Sequence, residues 1–412
     1  MKYVIIGNSA AGIGAAEGIR SADPKGDITI LSSEPHSTYS RPLISYKILG
    51  KVTDLHYRPP EFYAQNHCTL RHATVTAIEH EINAPTKAVV LADGTRVPYD
   101  KLLVATGSSP FVPPVEGLAD VRDAFTFMTL DDANALDSVL DKSKRVLIVG
   151  AGLIGLKCAE GLLKRVGQIT VVDLAARILP SILDETGAAR VQQHLESKGI
   201  AFKLSSSVAR FEQNTAILAE SSEGERLDFD ILVLAVGVRP NTALLDGIAR
   251  IERGIVVNAR SETSAPDIYA AGDCTQSVDA SDGQSKIMAL LPNAYRQGEC
   301  AGINMAGGDA AFDNAIPMNA IGFFGLPIAS AGNYTGDTYI ENTDTHYKAL
   351  FYSDNALNGY ILTGNIARAG IYTAMIRERT PLDSLDFALV CEKPGLMAFT
   401  REARAAKLGG GA

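Results

Sequence analysis

The sequence predicts an α/β protein with two Rossmann-like dinucleotide-binding domains and a C-terminal α+β domain. One observation is an internal repeat: "YVIIGNSAAGIGAAEGI" at 3–19 has a counterpart in "VLIVGAGLIGLKCAEGL" at 146–162. Each is a β-branched run that ends in glycine and continues into a small-residue helix. A second observation is that "KLLVATG" at 101–107 and "DILVLAVG" at 230–237 follow them as further apolar runs ending in glycine. Apolar strands without alternation indicate parallel sheets buried on both faces.

Length and charge limit the classes of function. A chain of 412 residues is long enough for two or three domains, and its net charge of −9 argues against non-specific binding to nucleic acid or an anionic membrane. No run approaches the about 18 apolar residues that a membrane span needs. The apolar N-terminus has the glycine spacing of a phosphate-binding turn, so we read it as part of the fold and expect a cytoplasmic protein.

The five cysteines form no recognisable metal or redox pattern. Neighbouring cysteines are at least 26 residues apart, so there is no C-x-x-C pair and no zinc or iron-sulfur ligand spacing. We therefore expect no metal site on this chain.

The second glycine-rich turn carries the complete G-x-G-x-x-G pattern, at Gly150, Gly152 and Gly155. These glycines permit a tight turn, a close approach to a pyrophosphate, and helix-strand packing. Asp173 follows 23 residues after Gly150, at the end of "QITVVD". A carboxylate there accepts hydrogen bonds from ribose hydroxyls and repels a 2′-phosphate, which favours NAD over NADP. Arg177, four residues after Asp173, keeps NADP as an alternative nucleotide.

The first turn departs from the pattern because Ser9 replaces the middle glycine between Gly7 and Gly12. A serine Cβ moves the pyrophosphate outward, and its hydroxyl can bond a phosphate oxygen in return. Glu34, 27 residues after Gly7, suits an adenosine ribose.

These motifs resemble the two-dinucleotide pyridine nucleotide oxidoreductases, the glutathione reductase-like flavoproteins. The resemblance covers essentially the whole chain and includes "GNSAAG", "VATG", "GAGLIG", "AVGVRPN" and "TSAPDIYAAGD". It implies that Asp273 holds the ribityl chain of FAD. The implied FAD-binding residues are Gly7, Ser9, Ala10, Ala11, Gly12, Glu34, Arg41, Pro42, Lys47, Ala105, Thr106, Gly107, Asp273 and Leu291. The implied NAD-binding residues are Gly150, Gly152, Leu153, Ile154, Gly155, Asp173 and Gly237.

The stretch "YSRPLIS" at 39–45 resembles the "Y-x-R-P-x-L-S" run of rubredoxin reductases and oxygenase-coupled ferredoxin reductases. Disulfide reductases and NADH oxidases of the superfamily place redox cysteines in this region, and this chain has none there. The resemblance implies a flavin that passes electrons directly to a one-electron carrier. Arg41 and Lys47 are then the candidate catalytic cations, which would stabilise the negative charge of reduced flavin.

Two positions depart from the family. Ferredoxin reductases have lysine directly after the serine, where this chain has Tyr46 before Lys47. Relatives commonly carry glutamate two residues after the last glycine, where this chain has Lys157. If a lysine-glutamate pair normally guides the nicotinamide, Glu160 is the candidate to replace the missing acid.

The resemblance also predicts domains and partners. We expect a discontinuous FAD-binding domain at 1–112 and 238–314, an NAD-binding domain at 113–237, and a C-terminal interface domain at 315–412. Several motifs look like the flavin subunits that accompany iron-sulfur 2-oxoacid dehydrogenases, such as phenylglyoxylate dehydrogenase, or carbon monoxide dehydrogenases. The expected partners are NAD(H) and an iron-sulfur electron-transfer protein or subunit. We expect the chain to form a hetero-oligomeric complex or a homodimer. Candidate docking residues are Arg377, Arg379, Arg401 and Arg404.

Two alternative functions stay open. A stand-alone NADH:rubredoxin reductase or NADH oxidase is one, although an oxidase or peroxidase is expected to need a redox thiol near position 42. A flavoprotein NADH sensor or scaffold is the other, and it would be reduced or reoxidised far more slowly than an enzyme turns over.

Overall fold

The computed structural model describes residues 1–80, 87–219, 225–400 and 404. The strands in chain order are β1 (Lys2–Ile6), β2 (Asp27–Ser32), β3 (Cys68–His72), β4 (Val75–Glu79), β5 (Lys87–Leu91), β6 (Arg96–Tyr99), β7 (Lys101–Val104), β8 (Ser108–Pro110), β9 (Ala124–Thr126), β10 (Arg145–Val149), β11 (Gln168–Val172), β12 (Ile200–Lys203), β13 (Val208–Glu212), β14 (Thr215–Leu218), β15 (Arg226–Asp228), β16 (Ile231–Leu234), β17 (Val238–Pro240), β18 (Ile255–Val256), β19 (Ile268–Ala270), β20 (Thr275–Val278), β21 (Ser285–Lys286), β22 (Met318–Phe323), β23 (Leu326–Gly332), β24 (Asp337–Asn342), β25 (Tyr347–Ser353) and β26 (Ala356–Thr363). The α-helices are α1 (Ala10–Ala22), α2 (Ile44–Ile48), α3 (Phe62–Gln65), α4 (Leu130–Asp137), α5 (Leu153–Leu162), α6 (Glu185–Glu196), α7 (Leu291–Met305), α8 (Ala369–Glu378) and α9 (Phe387–Glu392).

Two five-stranded parallel sheets form the centre of the fold, as the repeat predicts. The first has the order β19-β7-β1-β2-β3 and the second the order β12-β11-β10-β16-β9. Their central strands are buried along their length, because apolar residues point to both faces. The four glycine-terminated runs of the sequence supply β1, β7, β10 and β16. The predicted α/β class with Rossmann-like sheets is confirmed.

The second sheet interrupts the first along the chain. After β7 the chain leaves the first sheet through β8, and it comes back from the second sheet through β17, which pairs antiparallel with β8. It later adds β19 parallel to β7. Small antiparallel meanders, β4-β5-β6 and β13-β14-β15, accompany the two sheets. The boundaries at 112, 237 and 314 stay a prediction.

Helices α1 and α7 cross at very close range, because glycines lie at the crossing. A Cβ on Gly298 would lie 2.0 Å from the carbonyl oxygen of Ala11, and one on Gly302 would lie 2.2 Å from that of Ala15. From the other side, a Cβ on Gly14 would lie 2.3 Å from the Tyr295 oxygen. The contact holds the start of α7 against the first glycine-rich turn.

The C-terminal sheet is antiparallel, with the order β22-β23-β26-β25-β24, and α8 packs on it, which agrees with the predicted α+β class of this region. Its other face shares one hydrophobic cluster with the second parallel sheet, in which Phe323, Tyr347 and Ile361 join Leu156 of α5. The Tyr347 hydroxyl also donates to the Asp184 carboxylate at the start of α6. Within the described ranges, no helix has the length and apolar character needed to cross a membrane.

Candidate functional site

A cleft of about 870 Å³ lies where the two parallel sheets and the C-terminal sheet meet. The predicted residues that line it are Gly7, Ser9, Ala10, Ala11, Glu34, Arg41, Pro42, Ala105, Thr106, Gly107, Asp273, Leu291, Leu153 and Ile154. Most of them follow the carboxyl ends of β1, β2, β7 and β19, where open α/β sheets bind ligands. The structure therefore brings most of the predicted FAD residues together with two of the predicted NAD residues.

The first glycine-rich turn forms a cradle at one end of the cleft. Gly7 has φ +123°, and a Cβ there would lie 2.1 Å from the Ala105 carbonyl oxygen. Gly12 does not line the cleft; its missing Cβ lets α1 approach the Gly7 carbonyl oxygen. Ser9 is the N-cap of α1, and its side chain makes no capping hydrogen bond. The hydroxyl and the helix N-terminus suit a phosphate group.

Glu34 lies in a hydrogen-bonded network with Arg41 and Tyr39. The Arg41 guanidinium pairs with one carboxylate oxygen of Glu34, and the Tyr39 hydroxyl donates to the other at 2.5 Å. Arg41 also donates to the Met128 carbonyl oxygen at 3.1 Å. Burial raises the pKa of Tyr39, which therefore stays a protonated donor. This geometry associates Arg41 with the residue predicted to bind the adenosine ribose.

Asp273 lies half-buried in the wall of the cleft. Burial raises the pKa of its carboxyl, while the hydrogen bond from Ser108 Oγ at 3.3 Å and the charge of Arg41 oppose that rise. The carboxylate retains acceptor capacity for ligand hydroxyls. Nearby, Asn241 fixes the "VATG" turn, because its side-chain amide donates to the Thr106 carbonyl at 2.9 Å. The cradle and these acceptors fit the phosphates and hydroxyls of FAD.

The second glycine-rich turn is built like the first. Gly150 has φ +116°, and a Cβ there would lie 2.3 Å from the Ala235 carbonyl oxygen, whereas the space beside Gly152 is open. A Cβ on Gly155 would lie 2.0 Å from the Gly150 oxygen. Asp173 accepts hydrogen bonds from the backbone N–H groups of Ala151, at 2.6 Å, and Ala175, at 2.7 Å.

The predicted NAD residues divide between the main cleft and its surroundings. Leu153 and Ile154 lie in the cleft, and Gly237 lines a much smaller cavity that Ile154 also borders. Gly150, Gly152, Gly155 and Asp173 lie outside the cleft lining. The nucleotide-binding turn therefore lies beside the cleft, and α5 continues from it into the cleft.

Lys47 is not placed in the cleft. Its ammonium donates to Asn134 Oδ1 at 2.8 Å on α4 instead. The preceding residue, Tyr46, lines the cleft, together with Lys157 of α5. Sequence reasoning noted Tyr46 and Lys157 only as departures from the family, and it named neither Ser108 nor Asn241. The motif "AVGVRPN" contains Asn241 and was the available signal for that residue.

All five cysteines are free thiols within the described residues. Burial raises the pKa of Cys274 to about 11 and that of Cys68 to about 11, so both are protonated at neutral pH. No cysteine is among the described residues that line the cleft. A group of three or more His, Cys, Asp or Glu side chains suited to a metal ion is likewise absent from the described residues.

Two parallel sheets, one with its glycine-rich turn in the cleft and the other with its turn beside the cleft, are typical of proteins that bind two dinucleotides. The family model of the pyridine nucleotide-disulphide oxidoreductases matches residues 1–298, and the chain belongs to this family.

Similar proteins include electron-transfer enzymes. The chain is 33% identical to the NADH-dependent phenylglyoxylate dehydrogenase subunit epsilon of Aromatoleum evansii, over 93% of each chain. It is 35% identical to an NADH oxidase of Methanocaldococcus jannaschii, over 76% of this chain and 71% of that one. A solved structure of the covalent putidaredoxin reductase-putidaredoxin complex has the same fold, with a TM-score of 0.86 and 24% identity over 95% of this chain and 96% of that one.

The family and the similar proteins together establish the class of enzyme. The chain is an FAD-dependent NAD(H) oxidoreductase, and the expected cofactors are confirmed. Although the family name includes disulphide, the cysteines of this chain form no disulfide pair.

Proposed function

We propose that this enzyme exchanges a hydride with NAD(H) and passes single electrons to an iron-sulfur protein or subunit. The observation that carries the proposal is the lining of the cleft, which includes Arg41 and Pro42 and, among the described residues, no cysteine. The resemblance implies that single-thiol relatives place their redox cysteine at the position of this Arg41-Pro42 turn. Bound FAD supplies the conversion between two-electron and one-electron transfer. The protein groups bind and orient the two nucleotides and exclude water.

The geometry supports a division of roles among the predicted residues. Asp273 accepts hydrogen bonds from ribityl hydroxyls, and the Gly7–Gly12 turn accommodates the FAD pyrophosphate. Arg41 has its guanidinium on Glu34, which supports a role in binding the ADP half of FAD more than a role at the reacting ring. Lys47 is engaged by α4, so the structure gives no support to its catalytic role.

We further propose that the chain is the NAD-reducing flavin subunit of a larger complex, of the 2-oxoacid (phenylglyoxylate-like) or carbon monoxide dehydrogenase kind. Support comes from the Aromatoleum evansii relative, which is similar over nearly its whole length and is named as a subunit of such a dehydrogenase.

A cationic region at the rim of the cleft suits an acidic partner. Arg377 donates to Met318 Sδ at 3.0 Å, and Met318 lines the cleft. The Arg377 Nε has no hydrogen-bond partner among the described residues. Burial and the nearby guanidinium of Arg296, which is exposed on α7, lower the pKa of Arg377. Two neighbouring arginines favour an anionic partner in a chain that is acidic overall.

The other predicted docking arginines lie in different surroundings. Arg379 is exposed at the end of α8, and Arg404 lies beside Met397. Arg401 lies outside the described residues.

The test is anaerobic reduction of a ferredoxin by NADH with the FAD-loaded enzyme, measured against oxygen consumption by the same preparation. We expect ferredoxin reduction to exceed oxygen reduction and to fall steeply between low and high salt, because charge steers the encounter. Faster reaction with oxygen would favour the NADH oxidase alternative, which the 35% identical relative represents. Flavin reduction by NADH far below typical enzyme rates would favour the sensor.

A further inference from the structure

A polar cluster that the proposed function does not use borders the cleft, which Tyr46 and Lys157 line. The Lys157 ammonium donates to the Glu160 carboxylate, to the Tyr46 hydroxyl at 3.2 Å and to the Gly322 carbonyl oxygen at 3.1 Å. These groups belong to three elements, α5, α2 and β22. Glu160 is 4% exposed, and its second oxygen accepts from the Phe324 N–H at 2.8 Å.

Within this cluster, the Tyr46 hydroxyl is the group that keeps a hydrogen-bond donor for a ligand. The ammonium of Lys157 has three N–H donors, and each has an acceptor, so Lys157 has none left for a ligand. Glu160 neutralises its charge within the protein. The Tyr46 hydroxyl accepts from Lys157, and within the described ranges it makes no other hydrogen bond. Its phenolic proton is therefore available to a ligand in the cleft, which Tyr46 lines.

The position of Tyr46 indicates which ligand it meets. A nucleotide with its pyrophosphate at the open space beside Gly152 extends along the first turn of α5, because Leu153 and Ile154 lead from that turn into the cleft. Lys157 lies one helical turn further on the same face. The nicotinamide end of the nucleotide thus arrives beside Tyr46, and its carboxamide oxygen is an acceptor for a hydroxyl.

We propose that Tyr46 donates a hydrogen bond to the carboxamide oxygen of the nicotinamide, and that Lys157, neutralised by Glu160, is the positioning residue that orients the Tyr46 hydroxyl. This inference rests on the proposed binding of NAD(H) at the second glycine-rich turn. The neutral cluster also matters for charge, because an unbalanced cation at this place would repel the positive ring of NAD⁺.

The direct test compares two ligands on the FAD-loaded protein, NAD⁺ and ADP-ribose, by calorimetry. ADP-ribose lacks the nicotinamide, so it reports binding of the rest of the nucleotide. We expect Tyr46→Phe to weaken NAD⁺ binding about five- to tenfold, as loss of one hydrogen bond predicts, and to leave ADP-ribose binding and FAD content unchanged. Tyr57→Phe is the matched control, since Tyr57 packs under Arg58 and is not among the residues lining the cleft.

The role of Lys157 is tested by combining changes at Lys157 and Tyr46 and asking whether their effects add. The paired change Lys157→Met with Glu160→Gln removes the positioning cation without leaving a buried charge, and the glutamine still accepts from Phe324. We expect the same loss of NAD⁺ affinity as for Tyr46→Phe, and no further loss when all three changes are combined. Glu160→Gln alone should weaken NAD⁺ more than NADH, because it leaves Lys157 uncompensated.

Three results would overturn the inference: wild-type protein that binds NAD⁺ no more tightly than ADP-ribose, Tyr46→Phe protein that binds NAD⁺ as wild type does, or equal losses for both ligands. If the losses of NAD⁺ affinity caused by the paired change and by Tyr46→Phe are fully additive, Lys157 does not position the Tyr46 hydroxyl. Failure of the proposed function itself looks different, since wild-type protein would then bind neither ligand and its flavin would not be bleached by NADH.

Discussion

Asp273 has a half-buried carboxylate that accepts one hydrogen bond, from Ser108, and this arrangement costs free energy in the absence of a ligand. Burial raises the pKa of its carboxyl in the folded state. The folded protein then binds more protons than the unfolded chain between the ordinary pKa and the raised one. The free energy of unfolding of the FAD-free protein therefore falls as pH rises through that interval.

The Asp273→Asn change should consequently separate stability from cofactor binding. At pH 7 we expect FAD-free Asp273→Asn protein to melt at a higher temperature than FAD-free wild type, and the difference should vanish as pH falls to the ordinary pKa of about 3.9. FAD affinity should fall about tenfold, because a neutral acceptor replaces a charged one. Thermal melts and FAD titrations measure both effects. A variant that is less stable at pH 7 yet binds FAD normally would show that Asp273 has another role.

Asp173 should make the enzyme select NADH over NADPH. Its carboxylate accepts hydrogen bonds from two backbone N–H groups, at Ala151 and Ala175, and a carboxylate at this position repels a 2′-phosphate. The Asp173→Ser variant should lose activity with NADH. The ratio of kcat/KM for NADH to kcat/KM for NADPH should be about tenfold lower than in wild type. Equal kcat/KM for the two nucleotides in wild type would contradict this assignment.

At the scale of elements, the short helix α2 explains why Tyr46 lines the cleft and the predicted Lys47 does not. Tyr46 and Lys47 are neighbours in sequence, but successive residues of a helix point about 100° apart. Tyr46 lines the cleft and Lys47 contacts Asn134 of α4. Sequence comparison could identify the region, yet the one-residue shift relative to ferredoxin reductases decides which side chain enters the cleft.

The crossing of α1 and α7 gives a prediction about packing. A methyl group at Gly302 would lie 2.2 Å from the Ala15 carbonyl oxygen, so Gly302→Ala should force the helices apart and lower the free energy of unfolding by about 2 kcal/mol. FAD retention should fall as well, because α7 begins at the cleft. Gly370→Ala in α8 is the matched control, since nothing lies within 4 Å of a Cβ there. Chemical denaturation of both variants measures the difference, and equal stabilities would refute the close crossing.

At the scale of the whole molecule, the sequence predicted the two parallel sheets because their central strands have a local signature, an apolar run without alternation that ends in glycine. It could not predict contacts between elements that are far apart in the chain. The bond between Lys157 and Gly322 is one such contact, and the hydrophobic cluster that joins Phe323 to Leu156 is another. Those contacts depend on how the C-terminal sheet packs against α5, which no local pattern encodes.

The central claim is that electrons leave the flavin without passing through sulfur, and a cysteine-free variant tests it most directly. All five cysteines are replaced by serine or alanine, preparations are matched for FAD content, and NADH-driven reduction of a one-electron acceptor is followed anaerobically by stopped flow. We predict flavin reduction and acceptor reduction within about threefold of wild type, because no described cysteine lines the cleft. If flavin reduction by NADH survives while acceptor reduction is abolished, a thiol carries the electrons and the account is wrong.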